Sequence, residues 1–222
     1  MNVVLFGATG MVGRGTLLEC LDSPQVTSVL AVGRQPCGIT HPKLTELVRG
    51  DLYHLEADSA SFASCDATFY CVGVSTVGMT EAAYTHVTHD LTLAAAKVIR
   101  AAAPASVFVF VSGQGADSTE RGSVMWTRVK GKTENALLAL GFRHAWMLRP
   151  GLIQPMRGVR SRTTWYRVFY ALFGPFSRLM IRLAPGVVTN TVNVGRAMIR
   201  VAADGSDQTI LMTADINRLA GR

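Results

Sequence analysis

The chain alternates between two hydrophobic periods. Short apolar runs rich in β-branched residues stand at 2–6, 26–32, 44–48, 66–72 and 106–111, at 144–152 together with its closing turn, and at 209–212. Bounded by Gly, Pro, Ser or Asp, they read as strands, mostly buried on both faces. Between them the spacing becomes helical. It does so over 16–21, over an Ala-rich stretch at 80–103 that Pro104 ends, over 121–135, over Thr189–Ala203, and in the tail, read as a surface helix. Strand–helix alternation of this kind predicts a doubly wound α/β domain, a parallel sheet of about seven strands with helices on both faces. The stretch 162–183 departs from the pattern. It interleaves Trp165, Tyr166, Phe169, Phe173 and Phe176 with Arg167, Arg178 and Arg182, and Pro175 splits it into two helices. The expected organisation is a single domain over 1–222, with 155–190 as a small helical insertion on the substrate side. A membrane-surface helix pair and a homodimer face stay open as alternatives for that insertion.

The first turn carries the most chemistry. Strand 2–6 runs into Gly7-Ala-Thr9-Gly10-Met11-Val12-Gly13, and helical spacing follows at once. A dinucleotide requires this geometry. Gly7 permits the tight turn off the strand, Gly10 lets backbone amides approach a pyrophosphate, and Gly13 lets the new helix pack on the sheet with its amide end toward the phosphates. The expected architecture is therefore an NAD(P)-binding Rossmann fold. The second strand ends at Gly33-Arg34, where an enzyme preferring NAD would place an acid on the ribose hydroxyls. A guanidinium attracts a 2′-phosphate instead, so NADP (NADPH) is expected over NAD, with Arg14 as a second cation. A merely solvated Arg34 is the bland alternative.

The spacing Gly-x-x-Gly-x-x-Gly and the wording Gly7-Ala-Thr-Gly10 resemble the atypical branch of the short-chain dehydrogenase/reductase superfamily. Cys71-Val72-Gly73, Val129-Lys130-Gly131-x-x-Glu134 and Leu148-Arg149-Pro150-Gly151 strengthen the likeness to its NAD-dependent epimerase/dehydratase-like, NADPH-binding members. It extends over about residues 1–155. The resemblance implies that Asp51 and Leu52 hold the adenine, that Cys71, Val72 and Gly73 close over the cofactor, and that Pro150, Gly151 and Leu152 lie near the nicotinamide. It also implies catalysis by a Tyr-x-x-x-Lys pair on one helix face, with a serine polarising the substrate oxygen. Lys130 and Ser112 match the lysine and the serine, although such proteins often have Ser-Ser where this chain has Ser112-Gly113. The tyrosine position holds Trp126, whose indole N–H donates a hydrogen bond but is no general acid at neutral pH. An oxidoreductase transferring hydride to or from a small carbonyl or alcohol is one expectation, with water or a substrate group as proton source. A catalytically silent NADPH-binding scaffold or redox sensor is the other.

Charge adds one feature. The chain carries 22 Lys and Arg against 15 Asp and Glu, and between Gly141 and Arg200 there are ten arginines, no lysine and no acid. A segment so one-sided is expected to face something anionic, unless it forms an oligomer interface or a solvated face. No nucleic-acid motif accompanies it. His86 and His89 share a helix face, but no third ligand has a telling spacing, so no metal is expected. Cys20, Cys37, Cys65 and Cys71 form no Cys-x-x-Cys pair and read as free thiols. With a strand at residue 2 leaving no room for a signal peptide, the expected location is cytoplasmic. No apolar run approaches the ~20 residues of a membrane helix.

Overall fold

The structure, a computed structural model, describes residues 1–159 and 186–221. Seven parallel strands form the main sheet: β1 (Asn2–Phe6), β2 (Ser28–Gly33), β3 (Leu44–Val48), β4 (Ala67–Tyr70), β5 (Val107–Val111), β6 (His144–Arg149) and β9 (Ile210–Met212), in the order β3-β2-β1-β4-β5-β6-β9. Two further strands, β7 (Leu152–Gln154) and β8 (Val188–Asn190), pair in parallel beside it. The strand order reverses at β1, which lies between β2 and β4. That switch opens a crevice at the carboxyl ends of the strands.

Alternation along each strand builds two cores. Val3, Leu5, Val107 and Val109 face helices α1 (Met11–Asp22), α5 (Thr191–Asp204) and α6 (Thr213–Ala220). Val4, Phe6, Phe108 and Phe110 face α3 (Leu91–Ala102) and α4 (Met125–Ala139). The expected α/β class and seven-strand sheet are present. Helices α1 and α5 approach closely because small residues meet: a Cβ on Gly15 would fall 2.5 Å from the Thr191 Cβ, and one on Gly195 would fall 3.0 Å from the Thr16 Cα.

Several boundaries differ from the sequence reading. The single helix expected over 80–103 is α2 (Glu81–Thr85), a π-helical turn at His86–Asp90, then α3. The helix expected from Thr189 begins at Thr191, because 188–190 pair as β8 and the Asn190 side chain caps the Asn193 amide. The tail helix α6 is not merely superficial, since Ile216 and Leu219 enter the core. Of the expected insertion over 155–190, residues 160–185, with the Pro175 break and the aromatic–arginine stretch, lie outside the described residues.

The basic segment also looks different once folded. Arg149 pairs with Glu134, Arg157 with Glu19 and Asp22, Arg196 with Glu19, and Arg200 with Asp204. These four arginines are neutralised by acids from outside the segment.

Candidate functional site

The glycine loop is shaped by contacts that no side chain could share. Gly7 has φ +81°, and a Cβ there would lie 2.8 Å from the Cys71 carbonyl carbon and oxygen, so β1 leaves the sheet directly against the exit of β4. The Gly10 amide donates to the Gly7 carbonyl at 2.9 Å. A Cβ on Gly13 would fall 2.1 Å from that same oxygen, so only glycine lets α1 start so close to the strand. Gly10 is the N-cap of α1, and the helix carries neither a capping side chain nor an acid in its first turn, Met11, Val12 and Gly13 included. An uncapped amide end with no competing carboxylate suits an anion.

Beyond β2, Arg34 is exposed. The Arg14 guanidinium donates to the Cys37 carbonyl, so it is turned from its helix toward the loop that follows Arg34. Asp51 is committed within its own turn: its carboxylate accepts from the Tyr53 amide at 2.8 Å and lies 2.7 Å from His54 Nδ1. The His54 contact, first, and the amide hold its pKa below the ordinary range. Leu52 is buried beside it. Tyr53 stacks on His86, ring centroids 4.6 Å apart, and donates its hydroxyl to the His86 carbonyl. Cys71 offers backbone, not thiolate, because burial pushes its thiol up to about 12. Val72 is half-buried, while Gly73 is exposed with open space around it.

The groups with candidate chemistry converge at the end of β5. Lys130 donates to the Ser112 carbonyl at 3.2 Å and stands 5.4 Å over the Phe110 ring. Burial pulls its ammonium down to about 8, with Glu134 opposing the shift. A Cβ on Gly113 would meet both the Trp126 indole, at 3.7 Å, and the Lys130 stem, at 3.9 Å. Trp126 and Lys130, one helical turn apart, therefore flank the Ser112–Gly113 loop together. Ser112 Oγ is buried and has no hydrogen-bond partner among the described residues.

The turn after β6 joins the same cluster. The Gln114 amide donates to the Pro150 carbonyl at 2.8 Å, and the Gly151 amide donates to Thr213 Oγ1 at 2.9 Å. A Cβ on Gly151 would fall 2.4 Å from Gln114 Oε1. Gln114 was not singled out by the sequence; its only signal was its place two residues past Ser112. Leu152 begins β7. Behind the cluster, Glu134 is fully buried and takes the Arg149 Nε at 3.1 Å on each oxygen, which locks α4 to β6.

The two helical histidines have another use. Both lie against Asp90, with His89 Nδ1 at 2.9 Å and His86 Nδ1 at 3.5 Å from its carboxylate. Among the described residues no three His, Cys, Asp or Glu side chains gather as a metal-binding group. A cleft of about 560 Å³ lies elsewhere, lined by Glu19, Asp22, Gln25, Arg196 and Gly221, past the far end of α1. It shares no residue with the cluster at β5.

A Cβ-free cradle at an uncapped helix start, together with a lysine bonded to the loop after β5, fits a nicotinamide dinucleotide laid across the crevice. The comparisons agree at the level of family. The sequence model of the NAD dependent epimerase/dehydratase family matches residues 3–120, and the chain belongs to that family. It is an NAD(P)-binding, oxidoreductase-like Rossmann protein. Among its relatives are "Protein fmp52, mitochondrial" of Emericella nidulans, 30% identical over 89% of this chain and 85% of that one, and the protein of the same name from Aspergillus clavatus, 35% identical over 70% and 68%. Solved structures share the fold. The Bordetella bronchiseptica enzyme WbmF in complex with NAD+ superposes with TM-score 0.68 at 16% identity, over 98% of this chain and 76% of that one. UDP-glucose 4-epimerase of Thermotoga maritima does so with TM-score 0.65 at 14% identity, over 99% and 81%. The relatives' names correct the expected cytoplasmic location, since both are called mitochondrial. Free thiols report a reducing environment and not which compartment supplies it.

Proposed function

We propose that the chain is an NADP(H)-dependent oxidoreductase acting between a carbonyl compound and its alcohol. The observation that carries this reading is the end of β5, where Lys130 donates to the Ser112 carbonyl and Trp126, one helical turn away, flanks the same loop. The Ser112 hydroxyl has no hydrogen bond among the described residues and is the group left to orient a substrate oxygen. On this reading Gly7, Gly10 and Gly13 shape the cradle and the amide end of α1 binds the pyrophosphate. Arg34, with Arg14 turned toward the same loop, takes the 2′-phosphate. A nicotinamide bound there would supply hydride to the carbonyl carbon or take it up from the alcohol. Ser112 orients the substrate oxygen. Lys130, pulled down to about 8, takes over the proton work that the Trp126 indole cannot do.

Trp126 itself favours a second reading, a nucleotide-binding scaffold or redox sensor without turnover. The arginine pairing described above weakens the basic face that such a scaffold was expected to use.

Titration with NADPH and with NADH tests the cofactor half of the proposal, reading energy transfer from tryptophan to the nicotinamide with Trp126→Phe as control. Transfer should saturate with NADPH at lower concentration than with NADH, and Arg34→Asp should reverse that order. An unchanged order in the variant would mean that Arg34 does not touch the 2′-phosphate. A consumption assay over a panel of carbonyl compounds then separates the two readings, because the silent protein oxidises no NADPH with any of them.

A further inference from the structure

The loop that follows Arg34 is braced from two sides. Arg34 itself is exposed and makes no hydrogen bond or ion pair among the described residues. Burial lifts the Tyr53 phenol above its ordinary range and the Arg34 charge opposes that shift, so the guanidinium is felt at the turn after Asp51 and Leu52. The neighbouring cation, Arg49, whose amide bonds the Gly33 carbonyl, is committed to Asp58 at 2.6 Å.

Three residues past Arg34, both backbone polar groups of Cys37 are taken by charged side chains. The Cys37 amide donates to Glu46 Oε1, and its carbonyl accepts from Arg14 Nη1. Glu46 stands on β3 opposite Ala31 of β2, and Arg14 stands in the first turn of α1, next to Gly13. The loop is thus tied both to the sheet and to the helix that opens the cradle. Hydrogen bonds to ionised groups are the strong kind, and the loop has few other anchors. Gln35, Pro36 and Gly38 are exposed, while Cys37 and Ile39 are half-buried against the core. Cys37 adds no charge of its own, because burial first, and the Glu46 carboxylate after it, push its thiol up to about 12. The charge of Glu46 alone would disfavour a phosphate at Arg34, so any benefit it brings comes from what it holds.

Resting on the reading above, in which Arg34 takes the 2′-phosphate, we infer that Glu46 is a positioning residue for the choice between NADP and NAD. It acts through the Cys37 amide. With Arg14 closing the other side, it fixes the loop so that Arg34 meets the phosphate already placed, and the cost of ordering falls outside the binding step. NADH, which lacks that phosphate, gains nothing from it.

The test is the ratio of the NADH Kd to the NADPH Kd for Glu46→Ala and Glu46→Gln in the full chain, read by energy transfer from tryptophan to the nicotinamide. Glutamine keeps an oxygen that accepts from the Cys37 amide, and alanine does not. Glu46→Ala should lower the ratio about two- to tenfold, through weaker NADPH binding at an unchanged NADH Kd. Glu46→Gln should keep most of the wild-type ratio. In an Arg34→Ala background, Glu46→Ala should have no further effect, because the residue through which it acts is gone. A ratio that rises in both variants would overturn the proposal, since the carboxylate would then only repel the phosphate. So would an unchanged ratio in Glu46→Ala, a glutamine variant as impaired as the alanine, or an effect that persists without Arg34. The underlying reading fails in a different way. A wild type without preference for NADPH, or an Arg34→Asp variant that keeps the preference, sinks the cofactor assignment and this inference with it. Reversal by Arg34→Asp with silent Glu46 variants sinks only the role of Glu46.

Discussion

On the proposed reading the chemistry turns on what replaces a phenol. Trp126 then stands where the proton donor is expected, and its indole cannot release a proton near neutrality. Lys130 is the group beside it whose pKa falls in a working range, about 8, because burial disfavours its charged form. Carbonyl reduction consumes a proton, so it should be fastest while the ammonium is present and should fall as pH rises through about 8. Alcohol oxidation needs the free amine and should rise across the same interval. A reduction rate flat from pH 6 to pH 10 would remove Lys130 from proton transfer and leave it a binding role alone. Trp126→Tyr should raise NADPH-dependent reduction on the order of 10²-fold, the typical contribution of a positioned acid. Steady-state rates over a panel of carbonyl compounds measure both effects, and no gain over the wild type would favour the silent scaffold. That these three residues lie together was expected from the family resemblance, whose Tyr-x-x-x-Lys spacing puts Trp126 and Lys130 one helical turn apart and whose serine follows a strand end. Gln114 was not legible, since its contact with Gly151 depends on how two loops meet in space.

At the scale of elements, strands and the glycine turn could be read from local pattern, while the joints between elements could not. A π-helical turn holds one residue more than the regular helix and has no propensity signature, so His86–Asp90 read as ordinary helix. Strands of three residues such as β8 carry too little pattern to separate from the helix start that follows. The joint between α4 and β6 is an ion pair fifteen residues apart in sequence, with the Glu134 side chain 1% exposed and that of Arg149 13%. In the sequence both residues stand out only as wording shared with a family. Here they hold the helix bearing Trp126 and Lys130 against the strand that leads to Pro150. Removing one partner strands the other charge, so Glu134→Ala should cost about 3–5 kcal/mol. Glu134→Leu combined with Arg149→Met should recover much of that loss, as hydrophobic replacements of buried pairs often do. Urea denaturation midpoints decide the matter, and equal losses in the single and double variants would show that packing, not charge, carries the joint.

On the scale of the whole molecule, α1 works at both ends. Its amide end opens the nucleotide cradle, and near its other end Glu19, almost fully buried, takes Arg157 at 2.8 Å and Arg196 at 3.0 Å. The composition had shown a run of arginines with no acids, but not that acids 138 and 177 residues away would meet them. Between Gly10 and Glu19 the helix spans about 13 Å, far enough for their energetic effects to add. Two consequences follow for thermal unfolding. NADPH at 100 times its Kd should stabilise the fold by about 2.7 kcal/mol, a rise in Tm of roughly 5–10 °C for a domain of this size. Glu19→Gln should lower Tm in the absence of nucleotide, because Arg196 loses its carboxylate and Arg157 keeps only Asp22. Yet the increment given by NADPH at the same multiple of Kd should remain, since the cradle is untouched. If the increment vanished together with the ion pairs, the two ends of α1 would be coupled, and the joint to α5 would belong to the nucleotide site. If it persisted, α1 would be a rigid strut between a binding end and a fastening end.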